Sequence, residues 1–272
     1  MSNEYEGATA MFFAHNDRYS YAVSPLVEVI CQLRFPTILS IGTREPADFQ
    51  EAIRSAFPRY AARTERPAPT ISGAGTDAPK VEQAPSIVNY NFVSADGLWK
   101  INLTSGFIAL STMRYTRWEE FAQKLDMPLA QFIRIYQPAF FERIGLRYVN
   151  AFSRKAMGLE NTPWSDLFQP SFLGALAEPD VREGDITQCS LDVEMKLPDD
   201  CRMKLHSGPG LLGGGKQDPE VKFILDGDFS AGGNLSAAAV PEKLVTLHDH
   251  STRLLRGAMT SELHAAMGAT PL

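Results

Sequence analysis

Apolar and polar positions alternate from Val27 to Phe35, with Val27, Val29, Cys31, Leu33 and Phe35 on one side and Glu28, Gln32 and Arg34 on the other. A period of two predicts a strand with one core face and one polar face. Pro46 to Phe57 then predicts a short helix, because Pro46 suits the first helical position and Phe49, Ile53 and Phe57 share a stripe. Residues 58–86 are rich in Pro, Ala, Thr and Gly with little periodicity, which predicts a long mobile loop inside a domain. Strand patterns resume over residues 87–94, 98–105 and 107–115, broken by "ADG" and "SG". Such breaks predict an antiparallel meander, and Val27–Phe35 is expected in the same sheet. Thr116 as N-cap, with Glu119 three residues on, predicts a helix start. The helical pattern continues over residues 127–143, with Pro128 near a fresh start and Pro138 marking a kink or break. Residues 144–152 return to strand.

Residues 154–184 predict a connection with short helical pieces. Strand patterns follow over 186–197, 201–206 and 221–228, the first two joined by a "PDD" turn. A helix over 241–256, broken at Gly257, and a last helix over about 260–267 close the pattern. Strands and helices segregated in this way predict an α+β fold, with antiparallel sheets covered by helices and two related-looking halves. The halves are expected at residues 1–153, holding strand 27–35, meander 87–115 and helices 116–143, and at 154–272, holding strands 186–228 and the C-terminal helices.

Composition then narrows the class. A chain of 272 residues, 44% hydrophobic and 21% charged, can bury a sizeable core and is not disordered by composition. Its formal charge of −6 argues against general nucleic-acid binding and against a membrane-surface role, since both need a basic face. No run of apolar residues reaches membrane-spanning length, and the acidic start lacks the basic residues of a signal peptide. Cys31, Cys189 and Cys201 form no C-x-x-C pair and leave an odd thiol, which predicts reduced thiols and a cytoplasmic location.

Several motifs imitate chemistry. "GLLGGGKQ", Gly210–Gln217, has the G-x-x-x-x-G-K core of a phosphate loop, but Gln217 stands where Ser or Thr must hold magnesium, and Asp218–Pro219 precludes a following helix. It reads as a glycine loop between strands. "GAGTDA", Gly73–Ala78, lies in the proline-rich stretch without the strand and helix of a dinucleotide fingerprint. His248 and His250 stand two apart in the predicted helix, about 200° around it, so they cannot share a metal there. A partly buried helix histidine with a hydrogen-bond partner is the plainer reading. Asp192 with Glu194, and Asp226 with Asp228, share strand faces and would serve an acid–base or two-metal site only if they converged. As solvated strand-face acids they need no such role. No catalytic, cofactor-binding or metal residue is therefore assigned.

Three segments together carry a family resemblance. "YAVSPLVEVICQLRF" resembles a Y-x-x-P-P-[IL]-x-E opening, "YTRWEEF" a Y-x-x-W-x-x-F helix start, and "RIGLRYVN" an R-[IV]-G-L-R-Y-[IV]-N strand. The closing "LHDHSTRLLRGAMTSELHAAM" also fits. These belong to a sporadically distributed bacterial and archaeal family of uncharacterised proteins, and the chain departs from its pattern at Ser24 and around Leu255–Thr260. The resemblance implies a soluble cytoplasmic protein of the kind carried near mobile elements. It implies no activity. It marks Glu28, Arg34, Trp118, Arg147, Tyr148 and Asn150 as pattern positions.

Candidate polar-face or ligand contacts are Glu28, Arg34, Arg147, Asn150 and His248. Should the strands of Glu28 and Arg147 lie side by side, a charged pair would span them and fix register. The functional version is a polar sheet face that takes an anionic ligand or a peptide through Arg34 and Arg147. The expected function is a non-enzymatic interaction or ligand-binding protein, an accessory of a mobile-element or phage-defence operon, with another protein or a small anionic ligand as partner. The alternatives are a metal-dependent hydrolase or nuclease-like enzyme built on the Asp/Glu clusters, and an oligomeric structural component.

Overall fold

The computed structural model describes residues 11–15, 18–65, 70–72, 80–82, 86–215 and 218–272. In chain order the first elements are β1 (Tyr19–Tyr21), β2 (Leu26–Arg34), α1 (Leu39–Thr43) and α2 (Ala47–Ile53). The expected loop over 58–86 instead opens with strand β3 (Arg59–Glu65), followed by the small hairpin β4 (Thr70–Ser72) and β5 (Lys80–Glu82). Every residue of β3 is exposed, so no hydrophobic alternation betrays it. Backbone pairing to β6 (Ile87–Val93), from Arg59↔Val93 to Glu65↔Ile87, makes it a strand. Gly73–Ala78 and the pair Lys216–Gln217 lie outside the described residues.

The meander continues as β7 (Trp99–Leu103) and β8 (Phe107–Thr112), antiparallel as expected. Helix α3 (Trp118–Tyr136) departs from expectation twice. Arg117, not Thr116, is its N-cap, and the Thr116 hydroxyl donates to the Glu120 carboxylate. Pro128 lies inside one continuous helix. An interior proline costs about 3 kcal/mol, and burial of Phe121, Leu125, Leu129 and Phe132 along the same stripe offsets it. The helix ends at Gln137 in the left-handed region (φ 46°), one residue before Pro138.

Strand β9 (Phe141–Phe152), the short helices α4 (Arg154–Met157) and α5 (Trp164–Leu167), and strands β10 (Leu191–Lys196), β11 (Cys201–Gly210) and β12 (Lys222–Leu235) follow. Asp199 and Asp200 both adopt positive φ, 59° and 57°, and Cys201 N–H donates to Pro198 O at 3.2 Å, closing the "PDD" hairpin. Helix α6 (Val240–Ala258) runs through Gly257 rather than breaking there. Helix α7 (Ser261–Ala266) is capped by the Thr260 hydroxyl on Leu263 N–H, and β13 (Ala269–Pro271) pairs antiparallel with β1.

The fold is α+β with antiparallel sheets. Its compact units do not follow the chain-order halves 1–153 and 154–272. Unit 1 comprises 1–29, 145–231 and 241–272, and unit 2 comprises 30–144 and 232–240. Unit 1 has strand order β10-β11-β12-β9-β2. Its core stacks Phe168 on Phe223 at 3.9 Å, with Trp164 and Phe152 packed edgewise or tilted around them. Leu247 and Leu254 of α6 and Leu263 of α7 are buried there as well. Unit 2 has strand order β2-β8-β7-β6-β3. Its core brings Phe35 against Phe132, Phe49 against Phe92 and Trp99 against Phe121. The expected core face of β2 is confirmed, with Val29, Cys31 and Leu33 each fully buried. No described helix is long and apolar enough to cross a membrane.

Candidate functional site

The outward strand face of unit 1 is charged by register. Asp192 faces His206, which faces Asp226, and one row on Glu194 faces Lys204, which faces Asp228. Each acid therefore meets a base before it meets another acid. His206 Nδ1 lies 2.9 Å from Asp192, Lys204 Nζ 3.0 Å from Glu194, and Arg147 holds Asp226 through Nε at 2.8 Å and a second guanidinium nitrogen at 2.5 Å. Among the described residues no three His, Cys, Asp or Glu side chains converge as a metal-ligand set.

Arg147 thus takes its partner from β12. The bonds to Asp226 raise its already high pKa most; burial opposes this, and the charges of Asp226, Asp228 and Glu28 add to it. Glu28 stands near enough to contribute charge, but the bidentate partner is Asp226. Arg34, in unit 2, is exposed at the end of β2. Asn150 turns inward and donates to Leu225 O at 3.2 Å. His248, on α6, is buried with Nδ1 2.9 Å from the Tyr148 hydroxyl. These contacts link β9 to β12 and to α6, and they satisfy polar groups that burial would otherwise penalise.

Concavity lies elsewhere. In unit 2 a cavity of about 270 Å³ is lined by Ser40, Arg44, Glu45, Pro46, Ala47, Asp48, Ile135 and Tyr136. Arg44-Glu45-Pro46 is the link between α1 and α2, and Tyr136 is the last residue of α3. The link is held from below: the Tyr90 hydroxyl donates to Arg44 O at 3.4 Å, and Tyr60 hydrogen-bonds the Glu45 carboxylate. Burial pushes the Tyr136 hydroxyl up to about 12, with Asp48 reinforcing the shift and Arg44 opposing it. The phenol therefore stays protonated at any physiological pH and offers both a donor and an acceptor. The site presents one guanidinium, two carboxylates and a phenol against the apolar walls of Pro46, Ala47 and Ile135.

Sequence reasoning placed none of these residues in a site. The only local signal was the cluster Arg44-Glu45-Pro46-Ala47-Asp48 at a helix boundary. Nothing along the chain tied it to Tyr136. Comparison with known proteins adds no family: no family model matches the sequence, and no curated protein matches it either.

Proposed function

We propose that the protein is a non-enzymatic, cytoplasmic ligand-binding protein whose site is the Arg44–Tyr136 cavity of unit 2. The observation that carries this reading is convergence of the opposite charges of Arg44 and Asp48 around the Tyr136 phenol in a concave, mainly polar space. Small-molecule sites combine apolar walls with a few placed polar groups, over about 300–1,000 Å³. At about 270 Å³ this site lies just below that range and suits a molecule of only a few heavy atoms. Arg44 suits an anionic end, as a guanidinium forms paired hydrogen bonds with a carboxylate. Asp48 suits a cationic end. The ligand class is a small zwitterion.

The test is thermal stabilisation of the whole chain by a panel of amino acids and ω-amino carboxylates, with simple carboxylates and simple amines of matched length as controls. Zwitterions are expected to raise the unfolding temperature and the singly charged controls to act weakly. Hydrogen bonds to charged groups contribute about 1.5–3 kcal/mol, so Arg44→Ala is expected to weaken binding by at least about tenfold. Equal responses from Arg44→Ala and wild type would sink the assignment.

A further inference from the structure

Residues 11–14 of unit 1 lie along helix α6 as a strap. Ala14 N–H donates to Arg253 O at 3.0 Å, and Arg253 Nε donates back to Ala14 O at 3.0 Å. Phe12 stacks on Phe172 at 4.5 Å with an interplanar angle of 12°. The ring of Phe13 sits edge-on to His250 at 6.3 Å. Gly257 makes the close approach feasible: a Cβ there would stand 2.4 Å from Phe12 O and 2.9 Å from Met11 O. This explains a glycine near the end of a long helix, where it costs about 1 kcal/mol relative to alanine.

Beneath the strap, His250 is only 7% exposed, and its Nε2 has no hydrogen-bond partner among the described residues. A buried, unsatisfied ring nitrogen is costly, and protonation would make both ring nitrogens donors, leaving a charged N–H at Nε2 without an acceptor among the described residues. We propose that the Met11–Ala14 strap is a pH-sensitive latch: closed over neutral His250, and released when the imidazole takes up a proton that the closed site cannot solvate.

The surroundings agree in sign. Burial lowers the His250 pKa from its usual value, and Arg253 on the same helix lowers it further. Asp199, from the β10–β11 turn, and Asp249, on α6, oppose this without reversing it. Lys243 donates to Asp199 O at 3.0 Å, which places a second base beside that turn. The strap sets the apolar ring of Phe13 edge-on to the imidazole, and His15, the next titratable residue along the chain, is exposed. A depressed closed-state pKa means that latch stability is fully present above the ordinary histidine pKa and is lost as pH falls below it. Release uncovers His250, Phe172 and the Gly257 stretch of α6 together.

Amide hydrogen exchange of Ala14, corrected for intrinsic chemistry, reads the latch directly. If the closed form excludes the proton and the open form titrates near 6.5, protection falls by up to about tenfold between pH 7.5 and 5.5. The amide of Val23, bonded to Met267 O at 3.0 Å in the same unit, serves as the control and is expected to hold steady. His250→Gln is expected to remove the pH dependence at Ala14. Gly257→Ala leaves His250 in place and is expected to abolish Ala14 protection at both pH values and return the His250 titration to the ordinary range. A flat wild-type profile, an unchanged fall in His250→Gln, parallel loss at Val23, or a protected Ala14 in Gly257→Ala would each overturn the latch.

Discussion

Arg147→Ala isolates Asp226. The side chain of Asp226 is 14% exposed and that of Arg147 46%, so the pair is neither a free surface contact nor a fully buried one. Exposed ion pairs contribute about 0.2–1 kcal/mol, whereas stranding a fully buried charge costs about 3–5 kcal/mol. Bidentate geometry and the nearby acids Asp228 and Glu28 favour the upper part of the interval; the half-exposed guanidinium favours the lower. The expected loss is about 1–2 kcal/mol, discounted for solvent screening. In a unit of this size that lowers the unfolding temperature by about 3–6 °C. Urea unfolding of wild type, Arg147→Ala, Asp226→Asn and the double variant isolates the pairwise part, expected at about 1 kcal/mol and shrinking with added salt. A coupling indistinguishable from zero would refute the pair's role in linking β9 to β12. So would an unchanged unfolding temperature accompanied by loss of a binding partner.

Other expectations follow from burial and close approach. Cys31 is fully buried with its thiol pushed up to about 12 by burial, and Cys201 is buried and also raised, whereas Cys189 is half-buried. A thiol reagent at pH 8 should modify Cys189 alone in the folded protein and all three thiols after unfolding, as counted by mass spectrometry. Gly208→Ala should destabilise unit 1 by about 2 kcal/mol or more, because the added Cβ would stand 2.4 Å from the Cys189 carbonyl oxygen; urea unfolding checks it. Phe223→Ala should cost about 3–5 kcal/mol, since Phe223 stacks on Phe168 and packs against Trp164. Its thermal midpoint should fall further than that of Arg147→Ala.

Much of the architecture was legible because one-sided burial writes a period into the chain. β2, the meander and α7 all announce themselves locally. What failed to show has a physical reason in each case. β3 is wet on every residue, so only backbone pairing defines it. Pro128 sits mid-helix because a buried stripe outweighs a local rule. Gly257 reads as a helix stop, but its missing Cβ makes room for the Phe12 backbone. Among site residues, the polarity of Glu28 and Arg147 was visible, yet the partner of Arg147 lies 79 residues away in sequence. β9 does run beside β2 and Glu28 adds its charge at Arg147, but the hydrogen bonds of the guanidinium go to Asp226 on the other neighbour, β12. The unit 2 cavity was invisible for the same reason: its charges and its phenol come from segments joined only by the fold.

The proposed function requires Arg44, Asp48 and Tyr136 to bind a small zwitterion together. The most direct measurement is NMR chemical-shift perturbation of the full chain titrated with a short ω-amino carboxylate. Binding at this site predicts saturable shifts at residues 40–48 and 135–136, at least about tenfold weaker in Arg44→Ala. Shifts that avoid those residues, or that persist undiminished in Arg44→Ala, would contradict it.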